Sequence, residues 1–202
     1  MDDKWVFSKA CEVWKQEAEG VCGLTELVDR EMFCRVAHAV ADCKGRILVA
    51  GCGTSAAAAK KIAHSLCCVE RPAAFLTPSD AVHGGLGLLQ KDDILILISK
   101  GGNTKELAAL IPACKTKQAL LVAVSENPDS VLAESADIFL FVKVKREPDE
   151  YNMLATASTM AVIAVFDAMC IALMRMTGYT REKFAVIHPG GAVGERLLGG
   201  RE

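Results

Sequence analysis

The stretch Arg46-Ile47-Leu48-Val49-Ala50-Gly51-Cys52-Gly53-Thr54-Ser55-Ala56 decides the fold class. From Ile47 to Ala50 every side chain is apolar, with no polar residue in alternation. Such a run reads as a strand buried on both faces. The glycines behind it let the backbone turn tightly, and a helix-forming stretch over residues 55–69 follows at once. Strand, glycine turn and helix in that order form the first half of a βαβ unit.

The same texture recurs downstream. Ala73-Ala74-Phe75-Leu76 is a second apolar run, and Asp93-Ile94-Leu95-Ile96-Leu97-Ile98 a third. Residues 119–124 and 138–144 supply a fourth and a fifth, with helices expected over 105–115 and 156–176. Apolar strands alternating with helices predict an α/β fold, a parallel sheet in a three-layer sandwich. Upstream, residues 3–20 and 24–44 repeat apolar groups at helical spacing, giving two amphipathic helices that stop near Lys44-Gly45. The expected organisation is a single domain over residues 1–202, with N-terminal helices (1–45) packing on an α/β core (46–202).

Composition removes several classes of function. The chain has 202 residues, with 23 basic and 25 acidic side chains and a net charge of −2, which removes the electrostatic case for nucleic acid. Apolar residues make up 51% and charged ones 24%, which excludes disorder. The longest apolar stretch, 155–176, is interrupted by Ser158, Thr159, Asp167 and Arg175, so no unbroken run reaches the roughly 18 residues of a membrane helix. Met1-Asp2-Asp3-Lys4 has neither the basic start nor the apolar stretch of a signal peptide. A cytoplasmic protein with no membrane partner is expected. The nine cysteines form no C-x-x-C pair and none has metal-finger spacing to a histidine, so they read as small hydrophobes in a reducing compartment. Cys52, in a glycine loop, is the one with a claim to reactivity. No metal and no cofactor is expected.

Two strand ends carry the residues of a phosphate loop. In Gly51-Cys52-Gly53-Thr54-Ser55-Ala56 the helix behind the glycines aims backbone N–H groups at an anion, and Ser55 adds a hydroxyl. The run also fits G-x-G-x-x-A, so dinucleotide binding competes. That reading wants an acid at the end of the second strand, where this chain has Leu76-Thr77-Pro78 and no acid before Asp80. The second loop is Ser99-Lys100-Gly101-Gly102-Asn103-Thr104, which lacks the lysine-ended pattern of a P-loop. Singly, each loop reads equally well as a turn with a helix cap. The pair points to a compact phosphate held between adjacent strand ends. Ser158 and Thr159, which open the last helix, offer either a third donor site or a cap.

Acid–base candidates lie near backbone breaks. His83 precedes Gly84-Gly85, and His188 precedes Pro189-Gly190, on irregular backbone where sites concentrate. His38 and His64 fall within amphipathic helices and read as packing or surface residues. Glu106 opens a helix, where a favourable helix dipole accounts for it, and Glu147 sits in the charged stretch 143–151 after the last strand. That stretch reads as a solvated loop, yet it leaves a strand end where ligands bind in open α/β sheets. Two Glu and two His around a phosphate pocket would suit proton shuttling beside a carbonyl without a metal.

Four motifs carry a family resemblance. They are Gly51-Cys52-Gly53-Thr54-Ser55; Ala81-Val82-His83-Gly84-Gly85-Leu86-Gly87; Ser99 through Thr104 with Glu106-Leu107-Ala108-Ala109-Leu110-Ile111-Pro112; and His188-Pro189-Gly190-Gly191-Ala192-Val193-Gly194. The chain resembles sugar isomerase (SIS) domains over nearly its whole length, and most closely the catalytic domain of bacterial D-arabinose-5-phosphate isomerases. The resemblance implies a five-stranded flavodoxin-like sheet, aldose–ketose isomerisation of a phosphosugar through an enediol, and a homo-oligomer, a dimer of dimers with sites at subunit interfaces. By position it implies Gly53, Thr54, Ser55, Ser99, Gly102, Asn103 and Thr104 as phosphate ligands. Glu147, Glu106, His83 and His188 become the acid–base set, with Glu147 the favoured base and His188 reaching in from a neighbouring subunit. Lys100, Ser158 and Thr159 are further substrate-binding candidates. The chain departs from the isomerases at Thr54, where they usually carry lysine, and at Gly101, where they carry a second serine. It is expected to lack the two regulatory cystathionine-β-synthase-type modules of the common form.

D-arabinose 5-phosphate and D-ribulose 5-phosphate are the first substrate pair implied. A non-catalytic phosphosugar sensor and an isomerase of another phosphosugar, such as a hexulose phosphate, are the alternatives. Nucleotide binding comes last, for want of the ribose-binding acid.

Overall fold

The computed structural model of the chain describes residues 2–190. Five strands form one parallel sheet: β1 (Ile47–Gly51), β2 (Ala73–Phe75), β3 (Ile94–Ile98), β4 (Leu120–Ser125) and β5 (Ile138–Phe141), in the order β2-β1-β3-β4-β5. β1 and β3 are buried along their whole length, as their unbroken apolar runs require. Alternate side chains serve opposite faces. Ile47, Val49, Ile94, Ile96, Ile98, Val122 and Val124 pack on one core; Leu48, Ala50, Leu95, Leu97, Leu121 and Ala123 pack on the other.

The first core is covered by α3 (Arg30–Asp42), α4 (Thr54–Cys67) and α9 (Ala157–Met176). The short helices α5 (Pro78–Ala81), α6 (Lys105–Ala108), α7 (Ile111–Lys117) and α8 (Val131–Ser135) lie toward the other. Among the described residues there are two further helices, α2 (Leu24–Leu27) and α10 (Arg181–Ile187), with a 3-10 turn at Gly85–Leu88. α1 (Asp3–Cys22) buries no residue fully and lies against α9, outside the sandwich.

The structure refines the expected elements for identifiable reasons. The second N-terminal helix is split, because Asp29 stops the chain in an extended conformation and caps α3 through the Met32 N–H at 2.8 Å. The helix expected over 105–115 is split into α6 and α7 just before Pro112, whose ring removes a helical N–H. α9 is long and apolar enough to cross a membrane by length and mean hydropathy (2.0), despite its four interruptions. Its Ala157, Ala161, Val165, Phe166, Met169 and Leu173 are instead spent on the sheet, and Asp167 pairs with Lys61 of α4. The motif that begins at His188 runs on through Gly191-Ala192-Val193-Gly194, which lie outside the described residues.

Candidate functional site

The strand order reverses between β1 and β3, since β1 continues to β2 on one side and β3 to β4 on the other. Loops leaving the two strands must diverge there, opening a crevice at their carboxyl ends. Gly53 makes the first turn possible: its φ of 58° is left-handed, and it delivers the chain directly into α4. A pocket of about 480 Å³, open mouth included, fills the crevice. Thr54 and Ser55 line it from the first loop, Ser99 and Lys100 from the second, and Ser158 and Thr159 from α9.

The second loop is braced from within. The hydroxyls of Ser99 and Thr104 share a hydrogen bond at 2.8 Å, and the Gly102 N–H donates to Ser99 Oγ at 3.0 Å. The Ser125 hydroxyl donates to the Lys100 carbonyl at 2.8 Å. Asn103 faces elsewhere: its Oδ1 accepts the Val131 N–H at 3.0 Å at the start of α8. Gly102 is buried, and its carbonyl accepts the Leu132 N–H at 3.1 Å. The structure therefore brings Thr54, Ser55 and Ser99 to the pocket wall and Thr104 behind Ser99. Gly53, Gly102 and Asn103 shape the loops without lining the pocket.

Glu147 is the most constrained polar group of the site. It belongs to the charged stretch after β5, yet its side chain is 0% exposed. Lys100 Nζ donates to its Oε1 at 2.7 Å, while Oε2 accepts the N–H groups of Thr156 at 3.0 Å and Ser158 at 3.3 Å. Asn152 Oδ1 accepts the Glu147 N–H at 2.6 Å, and the Arg146 guanidinium donates to the Glu147 carbonyl at 3.1 Å. Burial pushes this carboxyl up, but hydrogen bonds from Lys100, Ser158 and Thr156 outweigh it and hold the group below its ordinary range. Lys100 thus has two faces, one on the pocket and one on a buried carboxylate.

Glu147 lies behind Lys100 and is not itself part of the pocket lining, and the other acid–base candidates also stand apart from it. Glu106 is exposed in the first turn of α6, and its charge acts on Cys52. His83 is exposed just after α5, which packs against α6. His188 stacks on Phe184 at 3.9 Å between ring centroids, with Nδ1 3.1 Å from the Phe184 carbonyl. Cys52 is half-buried, and burial together with the Glu106 charge pushes its thiol up, the opposite of an activated nucleophile. Sequence reasoning missed Ser125 and Glu126, which line the pocket at the end of β4. The strand-end rule that selected the first two loops applies equally to this one.

An open parallel sheet in this order, with hydroxyl loops at its switch point, defines a doubly wound α/β domain, a class whose ligands bind at the strand ends. Within that class, residues 40–185 match the SIS domain, and the chain belongs to the SIS domain family. The chain is 37% identical over 187 residues to an arabinose 5-phosphate isomerase of Yersinia pestis, covering 93% of this chain and 57% of that protein. It therefore spans little more than half the length of that curated relative. A Listeria monocytogenes structure provisionally named a sugar-phosphate isomerase is 59% identical, with a TM-score of 0.93 over 94% of this chain and 100% of that one. An Escherichia coli CFT073 protein solved in complex with arabinose 5-phosphate is 29% identical, with a TM-score of 0.89 over 94% of this chain and 100% of that one.

Proposed function

We propose that this protein is a phosphosugar aldose–ketose isomerase, with D-arabinose 5-phosphate and D-ribulose 5-phosphate as its substrate pair. One observation carries the reading: Ser55, Ser99 and Lys100 meet in one pocket, and Lys100 reaches from it to the sealed carboxylate of Glu147. The names of the similar proteins support the same substrate class.

In this reading the phosphate sits against the Ser55 and Ser99 hydroxyls and the N–H groups that open α4. Glu147 takes the C2 proton of the open-chain aldose while the C1 carbonyl oxygen is protonated, which gives the enediol. Return of a proton to C1 and loss of one from the C2 hydroxyl gives the ketose. No proton is gained or lost overall. A carbon acid is weak, so the base must be desolvated and well placed, and Glu147 is buried on a rigid frame. His83, Glu106 and His188 stand outside the pocket of a single chain. We assign their roles at the sugar hydroxyls to an assembled homo-oligomer, a dimer of dimers, in which His188 comes from a neighbouring subunit. The exposed Trp5, Phe7 and Trp14 of α1 offer such an assembly an apolar surface. The whole chain then acts as one cytoplasmic SIS domain.

A non-catalytic sensor is the second reading. It is favoured by the three hydrogen bonds that the Glu147 carboxylate already accepts within the single chain. Incubation with D-arabinose 5-phosphate in deuterated water, followed by proton NMR, separates the two. Loss of the C2 proton signal with appearance of ribulose 5-phosphate supports the isomerase. Saturable binding without exchange refutes it in favour of the sensor or of another phosphosugar.

A further inference from the structure

The charged groups that face the pocket are Lys100, Lys143 and Glu126. Around Glu147 the charged groups are Lys100 on its carboxylate and Arg146 on its carbonyl, beside the neutral N–H donors of Thr156 and Ser158. Among the described residues Lys100 is the charged group common to both, alongside the neutral Ser158. Lys100 also sits between Ser99 and Gly101 on the loop that offers the phosphate a hydroxyl. The first loop brings no cation, since Thr54 and Ser55 are neutral. A phosphate monoester carries a charge of about −1.5 to −2 near neutral pH, against −1 on Glu147. The Lys100 side chain is 37% exposed on a flexible stem, whereas the Glu147 side chain is 0% exposed.

From the reading of this pocket as a phosphosugar site, we propose that Lys100 is a positioning residue which the substrate phosphate draws off Glu147, uncovering Oε1 toward the substrate carbon. Oε2 stays on its two backbone N–H groups, so the carboxylate keeps its aim while it loses its counter-charge. A buried carboxylate stripped of a cation binds a proton more tightly and becomes a stronger base. Phosphate recognition and proton abstraction are then one event. An unliganded site keeps its base covered, and a sugar without a phosphate leaves it covered.

The test is a titration that needs no turnover. The full chain is labelled with δ-13C glutamate, and Glu147→Gln identifies the Glu147 resonance. Its pH midpoint is read with and without D-arabinitol 5-phosphate, which carries the phosphate but no carbonyl to isomerise. The midpoint is expected to rise by about 1–3 pH units on binding, the size of a lost neighbouring charge. In Lys100→Met it should start high and stay there. Binding seen by 31P NMR with an unmoved midpoint, or with the same rise in Lys100→Met, overturns the proposal. An unmoved wild-type midpoint overturns the proposal whether or not Lys100→Met folds, and Lys100→Gln is the second variant against which a wild-type rise is compared. If the probe does not bind at all, the proposal and the phosphate-site reading fall together. Turnover of arabinose 5-phosphate beside an unmoved Glu147 removes only the proposal.

Discussion

Replacing Gly102 by alanine should damage the second loop in a way that the same change at Gly101 does not. Gly102 has a φ of 70°, and a Cβ there would lie 2.1 Å from Ser130 Oγ, 2.4 Å from Ser130 Cβ and 2.9 Å from Ser125 Oγ. The left-handed conformation costs an alanine about 1–2 kcal/mol. Relief of the clash must move Ser130, which caps α8 through the Ala133 N–H at 3.3 Å. Loss of that cap costs about 1 kcal/mol more. The total is about 2–3 kcal/mol, read as a lowered midpoint in urea, or a fall of roughly 4–12 °C in melting temperature for a chain of this size. At Gly101 an added Cβ meets nothing within 4 Å, so Gly101→Ala should stay within about 0.5 kcal/mol of wild type. Gly102→Ala should also weaken phosphosugar binding, because the displaced N–H no longer holds Ser99 Oγ. If the two variants unfold at the same urea concentration, the close packing of this loop on Ser130 is refuted.

Three other perturbations bear on the site. Glu147→Gln should lower turnover by about 10²–10⁴-fold while phosphosugar binding, measured by calorimetry, is kept; wild-type turnover would remove Glu147 as the base. Ser99→Ala removes a hydroxyl that faces the pocket and accepts the Gly102 N–H, so binding should weaken about 3–10-fold; an unchanged dissociation constant would take Ser99 out of the phosphate site. Acid unfolding should also depend on Glu147. Its folded-state proton affinity lies below the ordinary value of 4.5, so its stabilisation is full above that pH and is lost as the pH falls through the lower folded value. Urea midpoints taken from pH 6 down to pH 3 should therefore fall more steeply for wild type than for Glu147→Gln, and parallel curves would contradict the assignment.

The sheet was legible because its signal is local. Each run from Ile47, Ile94 and Leu120 is apolar on both faces, and that pattern admits little but a covered parallel strand. The short helices were less legible. α8 spans five residues, too few for a periodic pattern, and depends on Ser130 and Asn103 for its start. Among the site residues, Ser55 and Ser99 were readable because a strand end fixes where the next residues point. Gly102 and Asn103 are phosphate ligands by position in the resemblance; in the structure the Gly102 carbonyl and Asn103 Oδ1 accept N–H groups of α8, a long-range use that sequence spacing does not encode. The burial of Glu147 was unreadable for the same reason. A stretch with Lys143, Lys145, Arg146, Asp149 and Glu150 around it has the composition of a solvated loop. Its concealment rests on Lys100 and the start of α9, 47 and about ten residues away.

That concealment bears on how the site handles Thr54. A dianionic phosphate held by hydroxyls and backbone N–H groups alone leaves its charge largely unbalanced, whichever strand end binds it. Of the two lysines that line the pocket, Lys100 on the β3 loop is the one engaged to the Glu147 carboxylate, 2.7 Å away. Moving the charge from the first loop to the second therefore does more than change where a phosphate is held. A lysine at the first loop would bind phosphate at a distance from the base, and the two functions would be independent. A lysine that must choose between phosphate and Glu147 makes them competitive, and any gain in phosphate affinity is reduced by the cost of leaving the carboxylate unpaired. If Lys100 is drawn off as proposed, weaker binding of the substrate and a more basic carboxylate in the complex share one cause. Under the proposed exchange, binding energy used in this way raises turnover at the expense of affinity.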